Sequence, residues 1–200
     1  MKQTHTLIIG SGTAGPALSL FLKKAGISSA VYEAYPYTQG VGGGLSLAPN
    51  GMNVLEDLSL AERLKASGTV VLENCFRSET GRVLARLDNG SKKYGQPAVA
   101  LRRADLHEVL TKERQRQGIA VAYEKRLTDI SYTNDNKEVV AHFADGSDAE
   151  GDLLIGADGI HSQTRKCVFP GSPEPAYVGI VAIGGFVPLS AVPGLMSVTP

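Results

Sequence analysis

The sequence predicts an α/β fold in which a parallel sheet of alternating strands and helices carries an antiparallel meander. Three observations predict it. An apolar run, a glycine loop and a helical stripe follow one another over residues 4–25, and a second strand-like run comes directly after. Four further strand-like runs between Ile119 and Ile155 are separated by turn residues rather than by helices. The chain has 200 residues, 42% of them hydrophobic. That length supports one well-packed core burying roughly 70% of the unfolded surface.

Thr4 to Ile9 is a β-rich run that leads straight into Gly10–Gly15. Its apolar part is too short for a leader peptide, so it reads as the first strand. Ala17 to Ala25 carries apolar residues at Ala17, Leu18, Phe21, Leu22 and Ala25, which is helical spacing. Gly26 stands where a helix C′ glycine belongs, and Ser29 to Glu33 reads as the second strand. The three elements form a βαβ unit, whose crossover requires parallel pairing.

Gly40 to Gly51 is a second glycine-rich loop, followed by a helix through Val54, Leu55 and Leu58 and a further turn at Leu60–Leu64. Val70 to Leu87 alternates loosely around Glu79-Thr80-Gly81, a hairpin signal, and predicts an antiparallel excursion. Leu106, Val109 and Leu110 form a helical stripe that Gly118 ends. Ile119–Tyr123, Leu127–Tyr132, Glu138–Phe143 and Asp148–Ile155 are strand candidates, with turn chemistry at Asn134–Asn136 and Asp145-Gly146. The uncharged stretch Val178 to Pro200 is broken by Gly179, Gly184, Gly185, Pro188, Pro193 and Gly194, so strands and turns suit it better than a membrane span. No internal repeat or low-complexity tract is present.

Composition excludes several classes of function. Twenty basic residues balance twenty acidic ones, which argues against nucleic acid or an anionic membrane surface as partner. Cys75 and Cys167 belong to no C-x-x-C pair, so neither a zinc ribbon nor a disulfide scaffold is expected, and a reducing cytoplasm fits. His5, His107, His142 and His161 are scattered, with His107 read as a helix-surface residue. No metal-ligand cluster, Ser/His/Asp triad or pair of catalytic carboxylates is expected.

Three segments carry chemistry. Gly10-Ser11-Gly12-Thr13-Ala14-Gly15 is G-x-G-x-x-G between a strand and a helix. Its glycines permit a tight turn, backbone approach to a pyrophosphate and close packing of helix on strand, while the helix N-terminus favours anions. Glu33, eighteen residues past Gly15, can accept from the hydroxyls of an adenosine ribose. Together they predict dinucleotide binding, and both NAD and FAD share the half that is read. The second segment, Gly151 to Arg165, runs from an apolar strand into Ala157-Asp158-Gly159. Asp158 there is either a ligand-facing carboxylate at the strand's end or a helix N-cap beside solvated Ser162 and Arg165. In the third, Leu101-Arg102-Arg103-Ala104-Asp105-Leu106-His107, an arginine heads a helix, suited to phosphate or simply solvated.

In this order and at these separations, the three segments resemble the class A FAD-dependent monooxygenases of the para-hydroxybenzoate hydroxylase type, over Thr4 to about Gly185. The resemblance implies a Rossmann-like FAD-binding domain over residues 1–69 and 98–175. Residues 70–97 and 176–200 would begin a β-rich substrate domain. It implies that Gly10, Gly12, Thr13, Ala14 and Gly15 hold the FAD pyrophosphate and that Glu33, with Ala34, holds the adenosine ribose. Arg103, rather than Arg102, matches the family's FAD-contacting arginine. Gly43, Gly44 and Leu45, within a loop like that beside the isoalloxazine ring, complete the flavin contacts. Asp158 and Gly159 match a motif shared by FAD and NAD(P)H, with Arg165 a further NAD(P)H contact.

The implied activity is hydroxylation of an aromatic or polycyclic small molecule by molecular oxygen, with NAD(P)H as co-substrate and a flavin C4a-hydroperoxide as the oxygen donor. A related FAD-dependent dehydrogenase or reductase, or a non-catalytic nucleotide-binding fragment, is the alternative. The family's later Gly-Asp segment and most of its substrate sheet have no counterpart here. The expectation is therefore a truncated N-terminal half, or one completed by a separate C-terminal half.

Overall fold

A computed structural model describes residues 4–36, 42–133, 137–181 and 186–191. At its centre, strand β1 (His5–Ile9) pairs in parallel with β2 (Ser28–Tyr32) on one side and β12 (Leu153–Gly156) on the other. The short β8 (Val121–Ala122) extends the sheet beside β2, giving the order β12-β1-β2-β8. Leu7 and Ile8 are both fully buried although they point to opposite faces. A parallel sheet covered on both sides demands such an unbroken apolar run.

On one face lie helices α1 (Ala14–Lys24), α2 (Pro49–Asp57), α3 (Ala61–Ser67) and α5 (Arg103–Arg116). Leu20, Met52, Leu64 and Leu110 from these helices share a core with Val99 and Leu101 of β7 (Ala98–Arg102). On the other face sits an antiparallel meander of β9 (Leu127–Tyr132), β10 (Val139–Phe143) and β11 (Asp148–Gly151). Leu7 and Ile9 pack there against Leu127, Val139 and Phe143, and Tyr32 stacks on Phe143 with ring centroids 5.0 Å apart.

Helix α1 begins three residues before the apolar stripe, with Gly15 and Pro16 in its first turn, where proline costs no hydrogen bond. Its end is the expected one: Gly26 N–H donates to Lys23 O at 3.0 Å and Ile27 N–H to Leu22 O at 2.8 Å. Helix α5 ends the same way, through Gly118 and Ile119 onto Gln115 O and Arg114 O.

Several expectations change. The run Asp148–Ile155 is two strands in two different sheets, divided at Asp152. That residue's N–H donates to His5 O at 2.9 Å while its carboxylate accepts the His5 N–H at 2.8 Å. The polar clasp hands the chain from the meander to the edge of the parallel sheet. Within the expected Gly40–Gly51 loop, Gly44–Leu47 forms strand β3, antiparallel to β7, and Gly51 already lies in α2. Gly40 and Val41 lie outside the described residues, as do the turn Asn134–Asn136 and the pair Gly184, Gly185. Strand β7 itself, a buried run across Ala98, Val99 and Leu101, carries no periodic signal in the sequence.

The excursion divides likewise. Strand β4 (Thr69–Val71) joins β7, whereas β5 (Glu73–Arg77) and β6 (Val83–Asp88) form the hairpin that Glu79–Gly81 signalled. The short helix α4 (Ser91–Tyr94) leads back to β7, and α6 (Gln163–Val168) follows the parallel sheet. The strand expected over Ile119–Tyr123 shrinks to two residues, because Val31 and Tyr32 alone offer it partners. Among the described residues of Val178–Pro188 no strand forms, since none has a ladder partner, and a 3-10 turn follows at Leu189–Ala191. No helix among the described residues is long and apolar enough to cross a membrane.

Candidate functional site

The three glycines of the first loop meet three different demands. Gly10 has φ +107°, and a Cβ there would lie 2.5 Å from Ala157 O; at Gly15 it would lie 2.0 Å from Gly10 O. Both positions are closed to any side chain by backbone. Gly12 is the opposite case, because a Cβ there would meet nothing within 4 Å. Gly10 and Gly15 build the turn and pack α1 on β1, while Gly12 faces open space. Among the described residues the Gly12 and Thr13 N–H groups have no hydrogen-bond partner. Thr13, the N-cap of α1, makes no side-chain cap either. Unpaired N–H groups at the positive end of an eleven-residue helix attract an anion such as a pyrophosphate.

Glu33 stands at the end of β2, 7% exposed. Its Oε2 accepts the Ser11 N–H at 2.7 Å and its Oε1 accepts the Tyr35 N–H at 3.1 Å. A carboxylate has about four lone-pair sites, so two remain for ligand hydroxyls. Ala34 is half-buried beside it. Ser11 is wholly buried, and its own hydroxyl oxygen lacks a partner.

Helix α5 joins this loop to the second glycine segment. Arg103 N–H donates to Gly43 O at 3.1 Å, and a Cβ on Gly42 would touch the Arg103 side chain at 3.1 Å. Arg103 is exposed and makes no side-chain hydrogen bond or ion pair with the described residues. Arg102, by contrast, is committed: its Nε and Nη2 grip both Asp105 oxygens at 2.9 and 2.6 Å. That grip holds the Asp105 carboxyl below its ordinary range. An open cleft of about 560 Å³ lies beside these residues, lined by Gly44, Leu45, Leu101, Arg102, Asp105 and Phe186.

His107 is not the solvated helix residue the sequence suggests. It is half-buried, and its Nε2 lies 2.9 Å from Ser11 O. The spacing held the signal: four residues after Arg103 on one helix, it shares that face.

Asp158 follows β12 and approaches the first loop through its backbone, since Gly10 packs against Ala157 and the Asp158 Cα. Its carboxylate is turned into its own loop. Oδ1 accepts from the Ser162 hydroxyl at 2.6 Å, and Oδ2 accepts from Thr164 N–H at 2.9 Å and the Thr164 hydroxyl at 3.1 Å. Ser162 is itself the N-cap of α6, accepting from Arg165 N–H at 2.9 Å, and is buried rather than solvated. Gly159 is exposed on the same turn. Arg165 is half-buried, with Nε and Nη2 shielded from solvent and unpaired. The structure thus brings Gly10–Gly15, Glu33, His107 and Asp158 around one loop, with Arg103 one turn away on α5 beside Gly42 and Gly43.

Outside this site, one constellation has the spacing of a Ser/His/Asp triad, an arrangement the scattered sequence positions do not suggest. Ser131 Oγ lies 2.8 Å from His142 Nε2, and His142 Nδ1 lies 2.8 Å from Asp148 Oδ1. Strand pairing across β9, β10 and β11 assembles it, which sequence separation hides. It sits on a sheet face where Ser131 pairs with Val140 and the Ile130 N–H is taken by Asp129. Both cysteines are free, and burial raises the Cys167 thiol above its ordinary range, which keeps it protonated. No group of metal-ligating side chains occurs among the described residues.

Residues 3–182 match a family described as FAD binding domain. The chain is 36% identical over 196 residues to 3-amino-4-hydroxybenzoate 2-monooxygenase of Streptomyces cremeus, covering 96% of this chain and 48% of that protein. It is 32% identical over 179 residues to 6-hydroxynicotinate 3-monooxygenase of Pseudomonas fluorescens, covering 88% and 45%. Klebsiella pneumoniae HpxO, solved with FAD and uric acid, superposes with a TM-score of 0.69 at 28% identity, covering 82% of this chain and 41% of that one. The chain spans about half the length of the curated relatives it matches.

Proposed function

Because the chain belongs to the FAD binding domain family, we propose that it is the FAD-holding portion of a monooxygenase that consumes NAD(P)H and molecular oxygen and hydroxylates an aromatic or polycyclic small molecule. The observation that carries this reading is the open, unpartnered Gly12 N–H at the head of α1, one loop away from the buried Glu33 carboxylate. A pyrophosphate fits the first and a ribose diol the second. The named relatives act on 3-amino-4-hydroxybenzoate and 6-hydroxynicotinate, both ring compounds, which supports the substrate class.

In this reading Gly10, Gly12, Gly15 and the N–H groups of Thr13 and Ala14 hold the pyrophosphate, Glu33 and Ala34 the ribose, and Arg103 supplies a phosphate-pairing guanidinium. Gly43, Gly44 and Leu45 form the backbone wall against which the flat ring lies at the cleft. Asp158 holds the turn that packs on Gly10 and continues into Gly159, and with Arg165 it receives the nicotinamide dinucleotide. FAD, when bound, supplies the oxygen-transfer chemistry. The chain's task is to bind it, orient it and exclude water.

Residues 1–69 and 98–175 make the FAD-binding domain, and residues 70–97 with 176–200 contribute to a substrate domain. The separate β5–β6 sheet supports that division. We assign the remaining walls of the cleft to sequence of the kind that makes up the relatives' other half. Two free cysteines suit a reducing cytoplasm.

The test is a flavin absorbance spectrum of the purified protein, followed by oxygen and NAD(P)H consumption with a panel of hydroxylated aromatic acids. One oxygen consumed and one hydroxylated product formed per NAD(P)H is the expected result. Substrate turnover with NAD(P)H in the absence of oxygen would overturn the monooxygenase assignment in favour of a dehydrogenase or reductase. ADP binding without a flavin spectrum would leave a nucleotide-binding module.

A further inference from the structure

The Ser11 peptide groups are held from both sides. The Ser11 N–H donates to Glu33 Oε2 at 2.7 Å, and the Ser11 C=O lies 2.9 Å from His107 Nε2. A carbonyl can only accept, so the ring's Nε2 carries the proton and donates. Ser11 is wholly buried, and water has no access to replace that donor.

The consequence falls on the next residue. In a planar trans peptide the C=O and the following N–H point in opposite directions, and no cis bond occurs among the described residues. Fixing Ser11 C=O on His107 therefore aims Gly12 N–H away from α5. A Cβ on Gly12 would find nothing within 4 Å, and the N–H finds no acceptor among the described residues. We infer that His107 is a positioning residue that aims the Gly12 N–H at the pyrophosphate of the bound dinucleotide, without touching the ligand itself. This rests on the FAD-holding function proposed above and adds to it a residue whose effect is specific to the phosphates. Arg103 and His107, one turn apart on α5, then divide the work: the first offers charge to the ligand, the second sets the loop.

The experiment compares His107→Gln with His107→Leu and His107→Asn in the full chain, titrating ADP and adenosine by NMR chemical shift. Glutamine places an N–H close to the position of Nε2, whereas leucine has no donor and asparagine is too short. His107→Leu and His107→Asn are expected to weaken ADP binding about tenfold, the factor for roughly 1.4 kcal/mol, with His107→Gln within about threefold of the parent. Adenosine, which lacks phosphates, is expected to bind all four proteins equally. Equal weakening of ADP and adenosine, or no rescue by glutamine, would show that His107 acts through general packing and overturn the inference. If the leucine variant does not fold, the glutamine and asparagine pair decides alone. A parent chain that binds neither ADP nor FAD overturns the FAD-holding function and this inference with it. A parent that binds both, with His107→Leu matching it, overturns the inference alone.

Discussion

Glu33 Oε2 receives the Ser11 N–H at 2.7 Å, and both residues are buried. The carboxylate therefore does structural work before any ligand arrives. Glu33→Ala leaves the Ser11 N–H unpaired in a dry site, and the expected loss is about 1–3 kcal/mol of folding stability. Glu33→Gln keeps an acceptor for Ser11 but turns an NH2 group toward the Tyr35 N–H, so an intermediate loss is expected. Urea unfolding of the flavin-free protein measures both. An alanine variant as stable as the parent would contradict the clasp.

Gly12 and Gly15 separate folding from binding. A valine at Gly12 meets no protein atom near its Cβ, so the variant is expected to unfold within a few degrees of the parent's Tm. It is also expected to retain no flavin, because the side chain fills the space left for the pyrophosphate. Even alanine at Gly15 sets a Cβ 2.0 Å from Gly10 O, which forces α1 off the sheet. Loss of cooperative melting is expected there. Melting curves and flavin content of the two variants give the comparison, and a Gly12→Val protein with full flavin content would remove the pyrophosphate assignment.

These two glycines also show what was legible in the sequence. The strand, glycine loop, helix and answering carboxylate are consecutive, so local spacing reports the βαβ unit, its Schellman ends and Glu33 directly. Strand β3 was hidden because its partner β7 lies more than fifty residues away and its glycine content mimics a loop. The division of Asp148–Ile155 was hidden because it depends on a side chain, Asp152, meeting the backbone of His5. The partner of His107 is a main-chain oxygen, which leaves no mark in composition, although its spacing from Arg103 puts both on one helix face.

Glu113 predicts an acid dependence of stability. Its side chain is 8% exposed, and it accepts from Arg116, Gln117 and, at 3.5 Å, Arg63. Those donors, Arg116 first, lower its pKa from 4.5 to about 2. Between these values the unfolded chain binds a proton that the folded one does not, so stability rises with pH there. The contribution is fully present above about pH 5 and disappears as pH falls toward 2. The gap is worth at most roughly 3 kcal/mol, and about half that once the 72% exposure of Arg116 is allowed for. Unfolding free energies measured from pH 6 to pH 2.5 should fall less steeply in Glu113→Gln than in the parent; parallel curves would show that the cluster contributes nothing.

The Ser131–His142–Asp148 array tests whether triad geometry alone confers chemistry. The distances, 2.8 Å at each step, are those of a nucleophile, base and orienting carboxylate. An oxyanion site also needs aimed donors, and removing one costs about 10²–10³ in rate where such a site exists. Beside Ser131 the Ile130 N–H is already taken by Asp129, and Ser131 itself is paired with Val140 in the ladder. A role in binding the three strands to one another follows, each strand contributing one member. Ser131→Ala is therefore expected to cost about 0.5–1.5 kcal/mol of stability. Neither it nor the parent should hydrolyse p-nitrophenyl acetate faster than free imidazole does. A rate well above that level, abolished by Ser131→Ala, would mean that a cross-strand triad can function with oxyanion donors drawn from elsewhere.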